Sequence, residues 1–229
     1  MNDQLNTFEK EKAPAFQRIT NKQYRKFLDT GNIDTISESQ ITKIIENIDG
    51  INGKYIKEAR ALVIIMYYTG ARPIEVLNIV AGDIQKDGDY ITIQLKGFKR
   101  GLPRKVYLDF KKPLVKEVFN YSKSVFSEAF LFYHYKANYT RTIKTKTGLV
   151  TRKYETPKLH GYFKRWFSCV YKNGLPPYFL RHNRFSKLSE AGASLEEIRL
   201  IKGAKSFNSV YPYIHLSTAT AKKISSKID

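Results

Sequence analysis

Residues 55–69 constrain this chain most. From Ala61 to Tyr68 apolar side chains crowd most of a helical circumference, which predicts a helix buried on nearly every side and therefore the centre of a core. That run is much shorter than the roughly 20 residues a membrane span needs. Gly70 stands where a glycine closes a helix, Arg72 follows in the turn, and Pro73 suits the first position of a further helix with Ile74, Leu77 and Ile79 or Val80 as its buried face. Arg72 is thereby pinned between two apolar helices.

Around that centre the pattern reads as one domain over residues 37–216. Residues 1–36 are polar, interrupted by Pro14 and Gly31, and read as an arm or linker. Ser37-Glu38-Ser39-Gln40 has the form of a capping box, and Ile41, Ile44, Ile45 and Ile48 follow at helical spacing. From Tyr90 the period falls to two. Ile91, Ile93 and Leu95 alternate with Thr92 and Gln94, and Val106, Tyr107 and Leu108 return after a basic, glycine-containing tip, as in a β-hairpin. Residues 114–132 read as helix, 133–157 as a long basic loop or a second irregular hairpin, and 160–171 as helix. Residues 181–191 read as a helix stopped by Gly192, and Ser194-x-x-Glu197 opens another that ends at Gly203. Residues 217–229 form a Lys-rich tail. The expected fold class is mainly α with a small antiparallel β-sheet (α+β).

Forty Lys and Arg against 21 Asp and Glu leave a net charge of +19, so the expected partner is an anion. The excess is concentrated in two stretches. One holds Lys96, Lys99, Arg100, Arg104, Lys105, Lys111, Lys112 and Lys116; the other holds Arg141, Lys144, Lys146, Arg152 and Lys153, interleaved with Thr and Tyr. Cations that displace condensed counterions, with hydroxyls beside them, suit a nucleic-acid backbone, and a nucleic acid is the expected partner. A membrane surface fits less well, because no amphipathic helix carries the basic face it needs. A lone Cys169 forms no intrachain disulfide, and four scattered histidines make no metal-ligand motif, so neither metal nor cofactor is expected. With no apolar stretch behind a basic start at the N-terminus, no secretory signal is read, and the expected compartment is a reducing one.

The segment Thr69-Gly70-Ala71-Arg72-Pro73-Ile74-Glu75-Val76-Leu77 resembles the Thr-Gly-x-Arg-x-x-Glu box of tyrosine recombinases, the phage integrase family. Leu180-Arg181-His182 and Glu190-Ala191-Gly192 are similar to parts of the family's second arginine box. The helix ending at Gly203 is similar to the one that closes on Leu-Gly-His, and Tyr213-Ile214-His215 resembles the nucleophile motif Tyr-x-His. Lys96-Gly97 falls on the hairpin where the family keeps a catalytic lysine. Order and separations fit throughout. The resemblance implies phosphodiester transfer through a 3′-phosphotyrosyl intermediate, without metal or ATP, by a homotetramer on paired sites in double-stranded DNA. Arg72 and Arg181 would hold the non-bridging oxygens, Lys96 would protonate the leaving 5′ oxygen, and Tyr213 would attack. Two rivals share these residues: a type IB topoisomerase-like nicking and closing enzyme, and a degenerate protein that only binds DNA.

Plainer readings stand beside these roles. Arg72 can cap the preceding helix, with Glu75 as its internal partner, and Arg184, one turn past Arg181, can take that residue's place. Lys99 and Arg100 compete with Lys96 on the same tip, and Tyr211 competes with Tyr213, which spacing favours. The pattern also departs from the family. Tyr178 stands where His-x-x-Arg would have its histidine, a Tyr-x-x-Arg form that resembles integrases of archaeal viruses and plasmids, and Ala204 replaces the histidine of Leu-Gly-His. Tyr178 can donate a hydrogen bond to phosphate but is no base near neutral pH. Lys205 is the expected substitute donor, His182 a buttress for Arg181, and His215 either orients Tyr213 or covers it. Pro212 removes a backbone donor just before the nucleophile. His134 and His160 carry no signal beyond surface residues.

Overall fold

A computed structural model describes residues 36–46, 48, 55–98, 101–145, 148–159 and 177–213. Residues 1–35 of the expected arm, the expected helix over 160–171, the tail, Lys99, Arg100, Lys146, His160, Cys169 and His215 lie outside the described residues.

The capping box forms as read: the Ser37 N–H donates to Gln40 Oε1 (2.8 Å) and the Gln40 N–H to Ser37 Oγ (3.2 Å). Helix α1 (Glu38–Glu46) follows, with Ile41, Ile44 and Ile45 inward. The central helix α2 (Ile56–Thr69) has Leu62, Val63, Ile64, Ile65 and Met66 all fully buried, because α1, α4, α5 and the small sheet surround it. Each such side chain contributes about 1.5–3 kcal/mol, so this helix supplies much of the core's stability. Glu38 ties α1 to its neighbours by accepting from Tyr68 Oη (2.5 Å) and Lys112 Nζ (2.9 Å).

Helix α3 is one turn (Pro73–Val76), shorter than the periodicity suggests; Leu77 and Ile79 are buried in the chain that continues from it, as the apolar pattern requires. A 3-10 turn (Ala81–Asp83) leads into an antiparallel meander of β1 (Ile84–Asp87), β2 (Tyr90–Leu95) and β3 (Arg104–Asp109). Strand β1 goes beyond the sequence reading, since Ile84 is its one buried residue. Helix α4 (Pro113–Lys123) stops well before residue 132. The chain beyond it bonds sideways instead, Ala81 N–H to Ala129 O and Leu131 N–H to Ile79 O, and these cross-links satisfy backbone groups that a longer helix would have paired internally.

Residues read as a loop or irregular hairpin form the two-stranded pair β4 (Lys136–Thr145) and β5 (Gly148–Leu159), with β5 running beside α3. Helices α5 (Phe179–Glu190) and α6 (Leu195–Lys202) follow. Ser194 caps α6 reciprocally with Glu197, and Gly203 closes it at φ 64°. Short 3-10 turns, Phe207–Ser209 and Tyr211–Tyr213, complete the described chain. The fold is mainly helical with a small antiparallel sheet, the class expected.

Candidate active site

The site is built where α2 ends. Gly70 takes the left-handed conformation (φ 60°), and a Cβ there would meet the Phe185 ring at 3.0 Å and Arg184 Cβ at 3.1 Å, so α5 packs directly on this turn. Thr69 folds its hydroxyl back to Ile65 O (2.6 Å) and receives the Ala71 N–H (3.0 Å), which fixes the exit path of the chain. Arg72 then extends (φ −66°, ψ 147°), and Pro73 starts α3.

Glu75, on the single turn of α3, is buried and gathers cations. It accepts from the Arg72 N–H (2.8 Å), Arg72 Nη1 (2.9 Å) and Arg104 Nη2 (3.0 Å), and Arg181 Nη1 lies 3.9 Å away. Burial alone would raise its pKa; the Arg104 hydrogen bond and charge, the Arg72 N–H and the Arg181 charge outweigh it and hold the carboxyl below its usual range. Three guanidinium groups round one carboxylate leave the cluster net positive.

Arg181 is completely buried in the first turn of α5. Nη1 donates to Gly70 O (2.5 Å) and Nη2 to Lys202 O (3.4 Å), while Nε has no hydrogen-bond partner among the described residues. Burial first, then the Arg72 charge, lower its pKa to about 10, so it remains protonated at neutral pH. A buried, incompletely satisfied guanidinium in a net-positive cluster has capacity for an anion.

Tyr213 reaches this cluster from the last 3-10 turn and is 3% exposed. Its ring packs against His182 and Phe185, both with centroids at 5.4 Å. Burial pushes the phenol's pKa up, and the Arg181 and Arg72 charges pull against it, which places the hydroxyl in the field of both arginines. Tyr178, at the start of α5, touches His182 edge-on (5.2 Å), and its hydroxyl acts electrostatically on both Arg181 and Tyr213. His182 is held neutral, lowered to about 4 by burial and by the Lys202 and Arg181 charges.

Arg72, Tyr178, Arg181 and Tyr213 are thus brought together, with His182 packed beneath them. Tyr211 is 57% exposed and lies apart from the ring contacts that seat Tyr213. Lys96, just past β2, is exposed with Nζ 3.9 Å from Asp83 Oδ2. Lys205 is exposed too. Arg104 departs from the surface, DNA-facing role suggested by its basic surroundings: its side chain is 7% exposed and is drawn inward by the buried Glu75 carboxylate. Lys105, its neighbour, points outward as expected. Arg141, Lys144, Arg152 and Lys153 lie on β4 and β5, where Arg141 and Arg152 are register partners. His134, read as a surface residue, bonds Glu58 (2.7 Å) and stacks on Tyr55. The reading missed Lys202, whose Nζ sits 4.4 Å from the Tyr213 ring centroid. Its spacing of four from the buried Ile198 was the available signal. Among the described residues no group of three His, Cys, Asp or Glu side chains is placed to hold a metal ion.

The profile of the phage integrase family matches residues 34–220. Among solved structures, the XerH site-specific recombinase bound to palindromic difH substrate in a post-cleavage complex is 20% identical, with TM-score 0.54 over 84% of this chain and 52% of that one. The XerA recombinase is 18% identical, with TM-score 0.54 over 85% of this chain and 63% of that one. The Tn1549 transposon integrase in complex with circular intermediate DNA is 17% identical, with TM-score 0.53 over 86% and 67%. The chain thus spans about half the length of the XerH structure. No curated protein matches it.

Proposed function

Since the chain belongs to the phage integrase family, we propose that it is a site-specific DNA recombinase that cleaves and rejoins duplex DNA through a 3′-phosphotyrosyl bond, without metal or ATP. The observation that carries this reading is the convergence of Arg72, Arg181 and Tyr213 on one net-positive cluster. In cleavage the Tyr213 oxygen bonds to phosphorus, the P–O5′ bond breaks, and the 5′ oxygen leaves with a proton. Arg72 and Arg181 stabilise the charge that grows on the non-bridging oxygens, and the Tyr178 hydroxyl donates where the family has an imidazole. Lys96, at the open edge of the hairpin, supplies the proton to the 5′ oxygen. The joined strand keeps the bond energy in the phosphotyrosine, so rejoining draws on no nucleotide.

A scissile phosphate has to replace existing contacts. Arg181 is completely buried, with Nη1 on Gly70 O and Nη2 on Lys202 O, so a phosphate reaches it by displacing these carbonyls. The basic residues Arg141, Lys144, Arg152 and Lys153 of β4 and β5 support a DNA backbone as the partner. Assembly as a homotetramer on two paired sites follows from exchange between two duplexes. The test is a duplex with a suicide nick: wild-type protein is expected to become covalently attached and Tyr213→Phe is not. An adduct of undiminished yield with Tyr213→Phe, or none with wild type, overturns the reading.

A further inference from the structure

The last residue of α6 is a lysine in the position of a core residue. Ile198, one turn earlier, is buried, and Lys202 is only 4% exposed. Its Nζ donates to Ser209 O and lies over two ring faces, 4.4 Å from the Tyr213 centroid and 5.7 Å from that of Phe185. Among the described residues no carboxylate is paired with it. Burying an ammonium group in this way is costly unless the group can shed its charge. Its surroundings favour that: Arg181, His182 and Phe185 face it from α5, Arg72 from the turn before α3, Arg104 beside Gly203, and Tyr213 and Ser209 from the closing turns. Burial and the Arg181 and Arg72 charges bring the amine down to about 7, so a large fraction is unprotonated near neutrality.

Two imidazole positions of the family's pattern are occupied here by Tyr178 and Ala204, and His182 is too weakly basic at about 4 to match the task. Lys205, next to Ala204, is exposed, whereas Lys202, two residues before Ala204, is buried with its Nζ over the Tyr213 ring. We propose that Lys202 is the proton acceptor for Tyr213, taking the place of the absent histidine. The proposal rests on the strand-transfer reading above. In cleavage the phenol proton passes to the neutral Nζ as the Oη–P bond forms and the P–O5′ bond breaks, and the 5′ oxygen is protonated by a separate donor, Lys96 or water. In rejoining the 5′ hydroxyl returns its proton to the deprotonated donor as it attacks phosphorus, the Oη–P bond breaks, and Nζ gives its proton back to Oη. The Ser209 carbonyl, on the segment that carries Tyr213, holds the amine over the ring face of the nucleophile.

Single-turnover adduct formation on the nicked duplex, followed against pH, tests this. For wild type the rate is expected to rise with pH and level off near about 7. Lys202→Met, which keeps the apolar stem, is expected to lose about 100-fold or more in rate and the break in its pH profile, and added imidazole or ethylamine restores part of the rate. Lys202→Arg keeps the charge but cannot become neutral, and is expected to be as slow as Lys202→Met. Thermal unfolding and DNA retention establish that each variant is folded. If a variant fails to fold, the wild-type profile decides: no break near neutrality overturns the proposal. Lys202→Arg reacting within about threefold of wild type, with the same break, overturns it as well. Absence of any wild-type adduct brings down the strand-transfer reading, whereas an adduct that forms regardless of Lys202 brings down this proposal alone.

Discussion

Replacing Glu75 with glutamine removes one charge at nearly constant shape and tests whether the carboxylate holds the arginine cluster together. Four interactions depend on it: the Arg72 N–H at 2.8 Å, Arg72 Nη1 at 2.9 Å, Arg104 Nη2 at 3.0 Å and the Arg181 charge at 3.9 Å. The Arg72 side chain is partly exposed, so its ion pair is screened and contributes no more than about 1 kcal/mol. The Arg104 and Arg181 side chains are buried, and unpairing a buried charge costs about 3–5 kcal/mol. A destabilisation of about 3 kcal/mol is therefore expected, which at about 2–4 °C per kcal/mol lowers Tm by roughly 6–12 °C. Acid dependence gives an independent check. Because the native pKa of Glu75 is lowered, its contribution is fully present above the unfolded value of 4.5 and is lost as pH falls through the native value. Glu75→Gln is expected to lose that part of the acid slope. Calorimetry that finds Tm within about 2 °C of wild type, with the acid slope intact, refutes the reasoning.

Gly203→Ala puts a side chain at φ 64° and its Cβ 2.8 Å from Leu102 O and 2.9 Å from Arg104 Nη1. A loss of at least about 1–2 kcal/mol in urea unfolding is expected, and no loss counts against the close approach of the hairpin loop to α6. His182, with a native pKa of about 4 against 6.5 unfolded, contributes stability that is complete above 6.5 and declines towards 4. Up to about 3 kcal/mol is expected to disappear across that window in wild type and not in His182→Gln, measured by urea unfolding at several pH values.

The parts of the fold that local chemistry dictates were legible in sequence. Ser37 and Ser194 each form the cap their spacing announced, Gly70 and Gly203 close helices at positive φ, and the two-residue period of Ile91, Ile93 and Leu95 is a strand. Where long-range contacts decide, the reading fell short. Strand β1 shows one apolar residue in four and is recruited by pairing with β2, and α4 ends early because residues 129–131 bond to the 79–81 segment. The site divides in the same way. Arg72, Tyr178, Arg181 and Tyr213 stood out through their resemblance to the family's boxes, with spacing favouring Tyr213 over Tyr211, but Arg104 looked like one more charge at a basic tip. Its alternation with Val106 and Leu108 put it on the inward face of β3, which only the buried Glu75 makes habitable for a guanidinium. Lys202 was hidden by its own charge, since a lysine on an amphipathic helix is ordinarily a solvated residue.

The most direct test is a crystal structure of the covalent complex on the nicked duplex. The expected result has the phosphate esterified to the Tyr213 oxygen, with Arg72 and Arg181 each donating to its non-bridging oxygens and Arg181 released from the Gly70 carbonyl. A phosphate carried by Tyr211, or one bound while Arg181 stays sealed against Gly70 and Lys202, contradicts the account.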